Sequence, residues 1–206
     1  RLGDGRDIRR VDQAAELGRF YASIVDSEYF DLLGEYGTET RTIGRGSFAG
    51  LVTHPSPPSG NVVDDQVVQT ELARLLHQGL LPENDDDTVY VVHFPEGVTI
   101  THGGATSCEN FCTYHGSFRR NGKLVPYVVV PDMEGECSTG CGTADKMSNT
   151  TYVASHELAQ VVTNPGIGFA AKEPASPLAW FDPMVGEISD ACLGSAQIDG
   201  YVVQTQ

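Results

Sequence analysis

Asn149-Thr150-Thr151-Tyr152-Val153-Ala154-Ser155-His156-Glu157-Leu158-Ala159-Gln160-Val161-Val162-Thr163 reads as a helix, ended by Asn164-Pro165-Gly166, and its two sides differ. At 100° per residue Ala154, Leu158, Val161 and Val162 share one side, which needs a sheet to pack on. His156, Gln160 and Thr163 share the other, with Glu157 at its margin. Such a helix is expected to present polar groups to a cleft.

The sheet is legible on either side of the cysteine-rich middle. Thr88-Val89-Tyr90-Val91-Val92-His93-Phe94 is a β-branched and aromatic run of strand length, and its nearly continuous apolarity predicts a central strand buried on both faces. Leu124–Val130 is a second run, closed by Pro131-Asp132. Between them a cysteine-braced loop from Cys108 to Phe118 carries His115. Asp64 or Asp65 caps a helix striped by Val67, Val68, Leu72, Leu75, Leu76 and Leu80. Val11–Val25 has a helical rhythm, and Tyr29–Leu33 extends it or begins a second short helix. Thr42–Phe48 reads as a strand and turn, Pro55–Gly60 as a loop, Asn84–Asp87 as an exposed turn, and the stretch with Pro174, Pro177 and Pro183 as a long loop. Tyr201-Val202-Val203 is a final strand. The expected architecture is α/β: a central mixed sheet with flanking helices, a zincin-like active-site helix and disulfide-braced loops. It forms a single domain over 1–206, with an N-terminal helical and strand part at 1–60 and a core at 61–206.

The chain has 206 residues, 40% of them hydrophobic, enough for one well-buried core. Its 28 acidic and 13 basic residues give a formal charge of −15, which repels phosphate backbones and anionic lipid. Neither nucleic acid nor membrane is an expected partner. No apolar run approaches the roughly 20 residues that cross a bilayer.

Cys108/Cys112 and Cys137/Cys141 form two close pairs, with Cys192 left over. Cys-x3-Cys twice can be structural disulfides of an oxidising compartment or four ligands of a structural zinc. Cys-x2-Cys is the more usual metal knuckle, so the expectation is two local disulfides, Cys108–Cys112 and Cys137–Cys141. Cys192 is then free, or its partner lies past Gln206.

His156-Glu157 is the first half of the His-Glu-x-x-His motif, in which histidines one turn apart hold zinc and the glutamate activates the bound water. Gln160, a neutral amide, stands at the second ligand position. Glu187 and Asp190, three apart, suit a metal carboxylate and a carboxylate orienting a ligand histidine. His115 is a further candidate ligand; His93 and His102 are weaker ones. Asn149-Thr150-Thr151 is a glycosylation acceptor expected to stay unmodified, because it begins the helix.

His156-Glu157-Leu158-Ala159, Thr163-Asn164-Pro165, Ala179-Trp180, Asp182-Pro183, and Glu187-Ile188 with Asp190 and Cys192 resemble, in order, the pattern of the plant EXORDIUM (phosphate-induced) proteins and related secreted bacterial and fungal proteins. Phe111-Cys112-Thr113-Tyr114-His115 and Val125-Pro126-Tyr127 extend the likeness, which spans Val89 to Cys192. The resemblance implies a secreted or cell-wall location and a recurrent His-Glu helix. That family's pattern has Glu where this chain has Gln160. Its members also continue past Tyr201–Gln204, which implies a processed end at Gln206 and a cleaved C-terminal fragment as a partner.

The leading expectation is a secreted zinc metallopeptidase acting on peptide or protein substrates. His156 and Glu187 or Asp190 ligate zinc, His115 or Gln160 completes the shell, and Glu157 takes the proton of the attacking water. The second is a non-catalytic extracellular binding or signalling protein in which the same residues form a structural polar network. The third is a carbohydrate-active protein with paired carboxylates, suggested by the cell-wall association of the plant relatives.

Overall fold

The structure, a computed structural model, describes residues 5–54, 61–167 and 178–206. In chain order its elements are α1 (Gly5–Val25), α2 (Glu28–Leu33), β1 (Val62–Asp64), α3 (Asp65–His77), β2 (Tyr90–His93), β3 (Thr99–His102), β4 (Ala105–Thr106), β5 (Tyr114–Arg120), β6 (Lys123–Val130), α4 (Cys137–Gly140), α5 (Lys146–Thr163), β7 (Ser195–Ile198) and β8 (Tyr201–Gln204). Two 3-10 turns occur at Gly34–Tyr36 and Ile188–Asp190. The expected loops at Pro55–Gly60 and around Pro174 and Pro177 lie outside the described residues. No described helix is long and apolar enough to cross a membrane.

The fold is mixed α/β, with small sheets and flanking helices. Its main sheet runs β2-β6-β5, β2 parallel and β5 antiparallel to β6. The run expected to be central, Thr88–Phe94, supplies the edge strand β2 instead, and Leu124–Val130 supplies the centre. Both runs are apolar; the β5–β6 hairpin decides between them, because it adds a neighbour to β6 and none to β2. Asn121 and Gly122 close that hairpin with positive φ at both positions, 52° and 82°, the backbone that matches strand twist in a two-residue turn. Asp199-Gly200 does the same for β7–β8.

Alternation along these strands divides the interior into two clusters. Val128 and Val130 face a core built with α1, α2, α5 and β8, whereas Val125, Tyr127 and Val129 face one built with α3, β1 and β3. In β5 the same alternation turns Tyr114 to the α3 side and His115 to α5. His115 therefore lies in a strand, not in the expected loop.

Helix α5 starts at Lys146, three residues before the expected Asn149. Asp145 caps it, its carboxylate accepting from the Ser148 main-chain N–H at 3.1 Å and hydroxyl at 2.7 Å. Asn149 is buried in the first turn, where its amide accepts from Ala144 N–H and donates to Ala144 C=O. The expected cleft-facing side of α5 is also covered: Glu157, Gln160 and Thr163 are buried along with Ala154, Leu158 and Val161. The cover is β5, β8 and the Ile188–Asp190 turn, elements whose placement helical periodicity cannot reveal. On the β8 side, Thr151 Oγ1 donates to Val202 O at 2.7 Å and Ser155 Oγ accepts from Gln204 N–H at 2.8 Å. Helix α3 begins as expected at an Asp64 cap but ends at His77, leaving Leu80 outside it and exposed. Thr42–Phe48 forms no strand, and Asn84, within the expected exposed turn, is buried with its amide donating to Leu124 O.

The disulfides are Cys108–Cys137 and Cys112–Cys141, not the expected local pairs. Cys137 and Cys141 bracket one turn of α4, so their side chains point the same way, toward the Cys108–Cys112 turn. Crosswise pairing is the result. Each bond closes a separation of 29 residues, worth about 3–4 kcal/mol for the first to form. The second runs parallel to it and removes much less additional chain freedom. Together they fasten the entry to β5 onto the approach to α5. Cys192 is free and exposed.

Candidate functional site

Glu157 is the centre of a polar cluster beneath α5. Its Oε1 accepts from the Thr113 hydroxyl at 2.7 Å and its Oε2 from His115 Nδ1–H at 2.9 Å. Only 4% of Glu157 and 3% of His115 is exposed. Burial by itself would raise the Glu157 carboxyl, but the hydrogen bond and charge of His115 outweigh it and hold the group below its ordinary range. Burial likewise opposes the imidazolium, and the Glu157 and Glu187 carboxylates overcome that and raise His115 above its usual value. The pair is an imidazolium against a carboxylate.

The far side of His115 faces the segment after α5. Glu187 Oε2 stands 3.6 Å from His115 Nε2, too long for a hydrogen bond, and Nε2 is buried with no hydrogen-bond partner. Glu187 Oε1 accepts from Asn164 Nδ2 at 2.8 Å. Burial pushes the Glu187 carboxyl up, more than His115 and Asn164 pull it down. Glu187 and Asp190 cap the 3-10 turn reciprocally, each side chain accepting from the other's main-chain N–H. Asn164 holds this segment against the end of α5: its Nδ2 also donates to Trp180 O and its Oδ1 accepts from Ala179 N–H.

His156 lies at the rim. Gln204 Nε2 donates to Ser189 O and Cys192 O, which leaves Gln204 Oε1 to accept from His156 Nδ1–H at 3.0 Å. His156 Nε2 is 3.5 Å from Asp190 Oδ1. That same oxygen accepts from Gln160 Nε2 at 3.1 Å.

The structure thus gathers all six candidates, His115, His156, Glu157, Gln160, Glu187 and Asp190, into one connected cluster. It also shows participants that spacing did not single out: Thr113, Asn164, Ser189 and Gln204. Thr113 and Asn164 fall in the motifs that carry the family resemblance. Nothing in the local pattern marks Gln204.

The candidate zinc donors do not converge on one point. Among the described residues no group of three His, Cys, Asp or Glu side chains could hold a metal ion. The donors are divided: His115 has a carboxylate at each ring nitrogen, His156 turns its Nε2 to a different one, and Gln160 offers Asp190 an N–H where a ligand would offer an oxygen.

A second polar centre, on the α3 side of the sheet, gathers the weaker candidate His102 with Asp65, Gln69, Tyr114 and Tyr127, none of which was a candidate. Asp65 Oδ1 accepts from the hydroxyls of Tyr114 at 2.7 Å and Tyr127 at 2.6 Å, and Oδ2 accepts from Gln69 Nε2 at 2.8 Å. His102 Nδ1 is 3.3 Å from Oδ2, and its ring stacks on Tyr114. His93, the other weaker candidate, accepts from the Tyr21 hydroxyl at Nε2 at 2.7 Å, and burial lowers its pKa to about 4, so it is neutral. Comparison with family models, curated proteins and solved structures found no match.

Proposed function

We propose that this chain is an extracellular protein of the EXORDIUM kind that acts by binding rather than by peptide hydrolysis, with the His-Glu helix as its internal strut. The observation that carries this reading is the state of Glu157. A general base must reach the water whose proton it takes, and Glu157 is buried with each oxygen already accepting a hydrogen bond, from Thr113 and His115. Two crosswise disulfides fit an oxidising compartment, which supports secretion.

One observation favours the zinc-peptidase reading. His115 Nε2 is buried without a hydrogen-bond partner while its Nδ1 is held by a carboxylate, the arrangement that orients metal-bound histidines. In that reading Glu157 positions His115 and is not the base. Elemental analysis of protein purified without chelator, with a peptide-library assay on the same sample, separates the two. Stoichiometric zinc together with zinc-dependent cleavage would overturn the binding reading; no metal above background and no cleavage is the expected result.

A further inference from the structure

We propose that Ala49–Thr53 is an endoproteolytic processing site, cut by a serine endopeptidase of apolar specificity, and that the two pieces stay assembled afterwards. A protease receives its substrate as an extended segment and pairs with its main chain, so a native target must be exposed, extended and without main-chain partners of its own. Gly44–His54 is exposed at every residue and belongs to no helix or strand. Its ends are pinned. The Arg45 guanidinium donates to both oxygens of Asp31, at 2.8 and 2.6 Å, and Gly46 N–H donates to Val25 O at 2.7 Å. His54 Nε2 lies 2.8 Å from Glu71 Oε1. Between these anchors, the main chain of 47–53 exchanges no hydrogen bond with the main chain of any described residue. Leu51, 52% exposed, offers an apolar side chain to the protease.

A second stretch with exposed apolar residues, Leu178–Leu193, with Met184, Val185 and Leu193 among them, lacks this freedom. Its main chain is tied by Asn164 at Ala179 and Trp180, by the Asp182–Gly186 pair and by the Glu187–Asp190 cap. Hydrolysis of the Leu51–Val52 amide consumes one water and leaves a carboxylate on Leu51 and an ammonium on Val52. The N-terminal piece keeps its place because its contacts do not pass through the cut. Leu17, Phe20, Tyr21, Ile24, Tyr29, Phe30 and Leu33 are buried in the α5 core, and the Tyr29 hydroxyl donates to Ser155 O. Processing therefore leaves α1–α2 as a cover held on α5 by packing and hydrogen bonding alone.

The test is limited digestion of the full chain, under native conditions, with traces of chymotrypsin and, separately, subtilisin. Mass spectrometry is expected to place the first cut between Phe48 and Thr53, with both fragments co-eluting on gel filtration. The double change Leu51→Asp and Val52→Pro should slow that cut at least about tenfold with the thermal midpoint unchanged. A first cut elsewhere, separation of the fragments, or an unslowed variant overturns the proposal.

Discussion

Glu157 and Asp65 are buried carboxylates on opposite faces of the β2-β6-β5 sheet, and consecutive residues of β5 serve them: His115 turns to Glu157, and Tyr114 to Asp65. Each carboxylate is about 4% exposed and accepts from a hydroxyl group, yet their partners differ in kind. Glu157 is held by an imidazolium and one hydroxyl, so its hub is an ion pair. Asp65 is held by two phenols and an amide, so its main hydrogen bonds come from neutral donors. Breaking a buried ion pair from one side leaves an uncompensated charge, whereas losing a charged acceptor among neutral donors mainly weakens hydrogen bonds. The two hubs should therefore fail differently.

The largest effect is expected at Glu157. Glu157→Gln keeps the volume but strands the His115 imidazolium, and should lower unfolding free energy by about 3–5 kcal/mol. Urea titration reads this as a fall in midpoint at constant slope. A variant as stable as the parent would mean that the Glu157–His115 pair contributes little, and would reopen the case for Glu157 as a catalytic group. Asp65→Asn comes next. The amide oxygen still accepts from one or both tyrosines, and the loss should be about 1.5–3 kcal/mol in the same titration. A larger loss than at Glu157 would reverse the comparison.

The hubs should also separate along the pH axis. His115 is raised above its ordinary 6.5, so its contribution is complete below that pH and is lost as pH rises through the folded value. Glu157 is depressed, so its contribution is complete above 4.5 and is lost as pH falls through its lowered value. Glu187, raised mainly by burial, adds stability toward acid and loses it as pH rises. His93, depressed to about 4, works against His115, losing stability as pH falls from 6.5. Burial raises Tyr114 and Tyr127, with Asp65 adding to the rise, so these two phenols of the second hub penalise the fold above pH 10, where unfolded tyrosines ionise. His115→Gln should remove the stability loss above pH 6.5 and leave the alkaline limb intact. Thermal midpoints measured from pH 4 to 11 check both arms, and an alkaline limb that moves with His115 would contradict the division.

The same contrast explains what the sequence could and could not show. His156-Glu157 is a contiguous motif on a strongly signalled helix, and Glu187 and Asp190 share a motif, so the first hub was legible as a set of residues. Its geometry was not. Periodicity places Glu157 at the margin of a helix face but says nothing of β5 and β8 closing over that face. The second hub joins Asp65 and Gln69 of α3 to Tyr114 and Tyr127 of the β5–β6 pair and His102 of β3, residues ordinary in their own neighbourhoods that meet only through the packing of α3 and β3 on that pair. The cysteines teach the same point. Their spacing revealed two pairs, while the crosswise bonds depend on where α4 lies against the 108–112 turn.

The smallest effect, and the most discriminating, is expected at Gln160. Its Nε2 donates at 3.1 Å to Asp190 Oδ1, the oxygen that lies 3.5 Å from His156 Nε2. Gln160→Glu replaces that donor with a second carboxylate, so like charges meet beside a partly exposed oxygen. The cost should be about 1 kcal/mol without metal, because the Asp190 carboxylate that meets the new charge is partly exposed and solvent there screens the repulsion. A divalent cation would convert the repulsion into coordination, since residue 160, His156 and Asp190 then offer two carboxylates and an imidazole. Thermal midpoints of parent and variant, each with and without added zinc, give three separable results. A metal-independent loss confined to the variant supports the structural network. A rise on zinc addition in the variant alone shows that Gln160 is what keeps this cluster from holding a metal. A rise in the parent as well would show that the cluster holds zinc despite Gln160, and the binding-protein reading would then give way to the metal-dependent one.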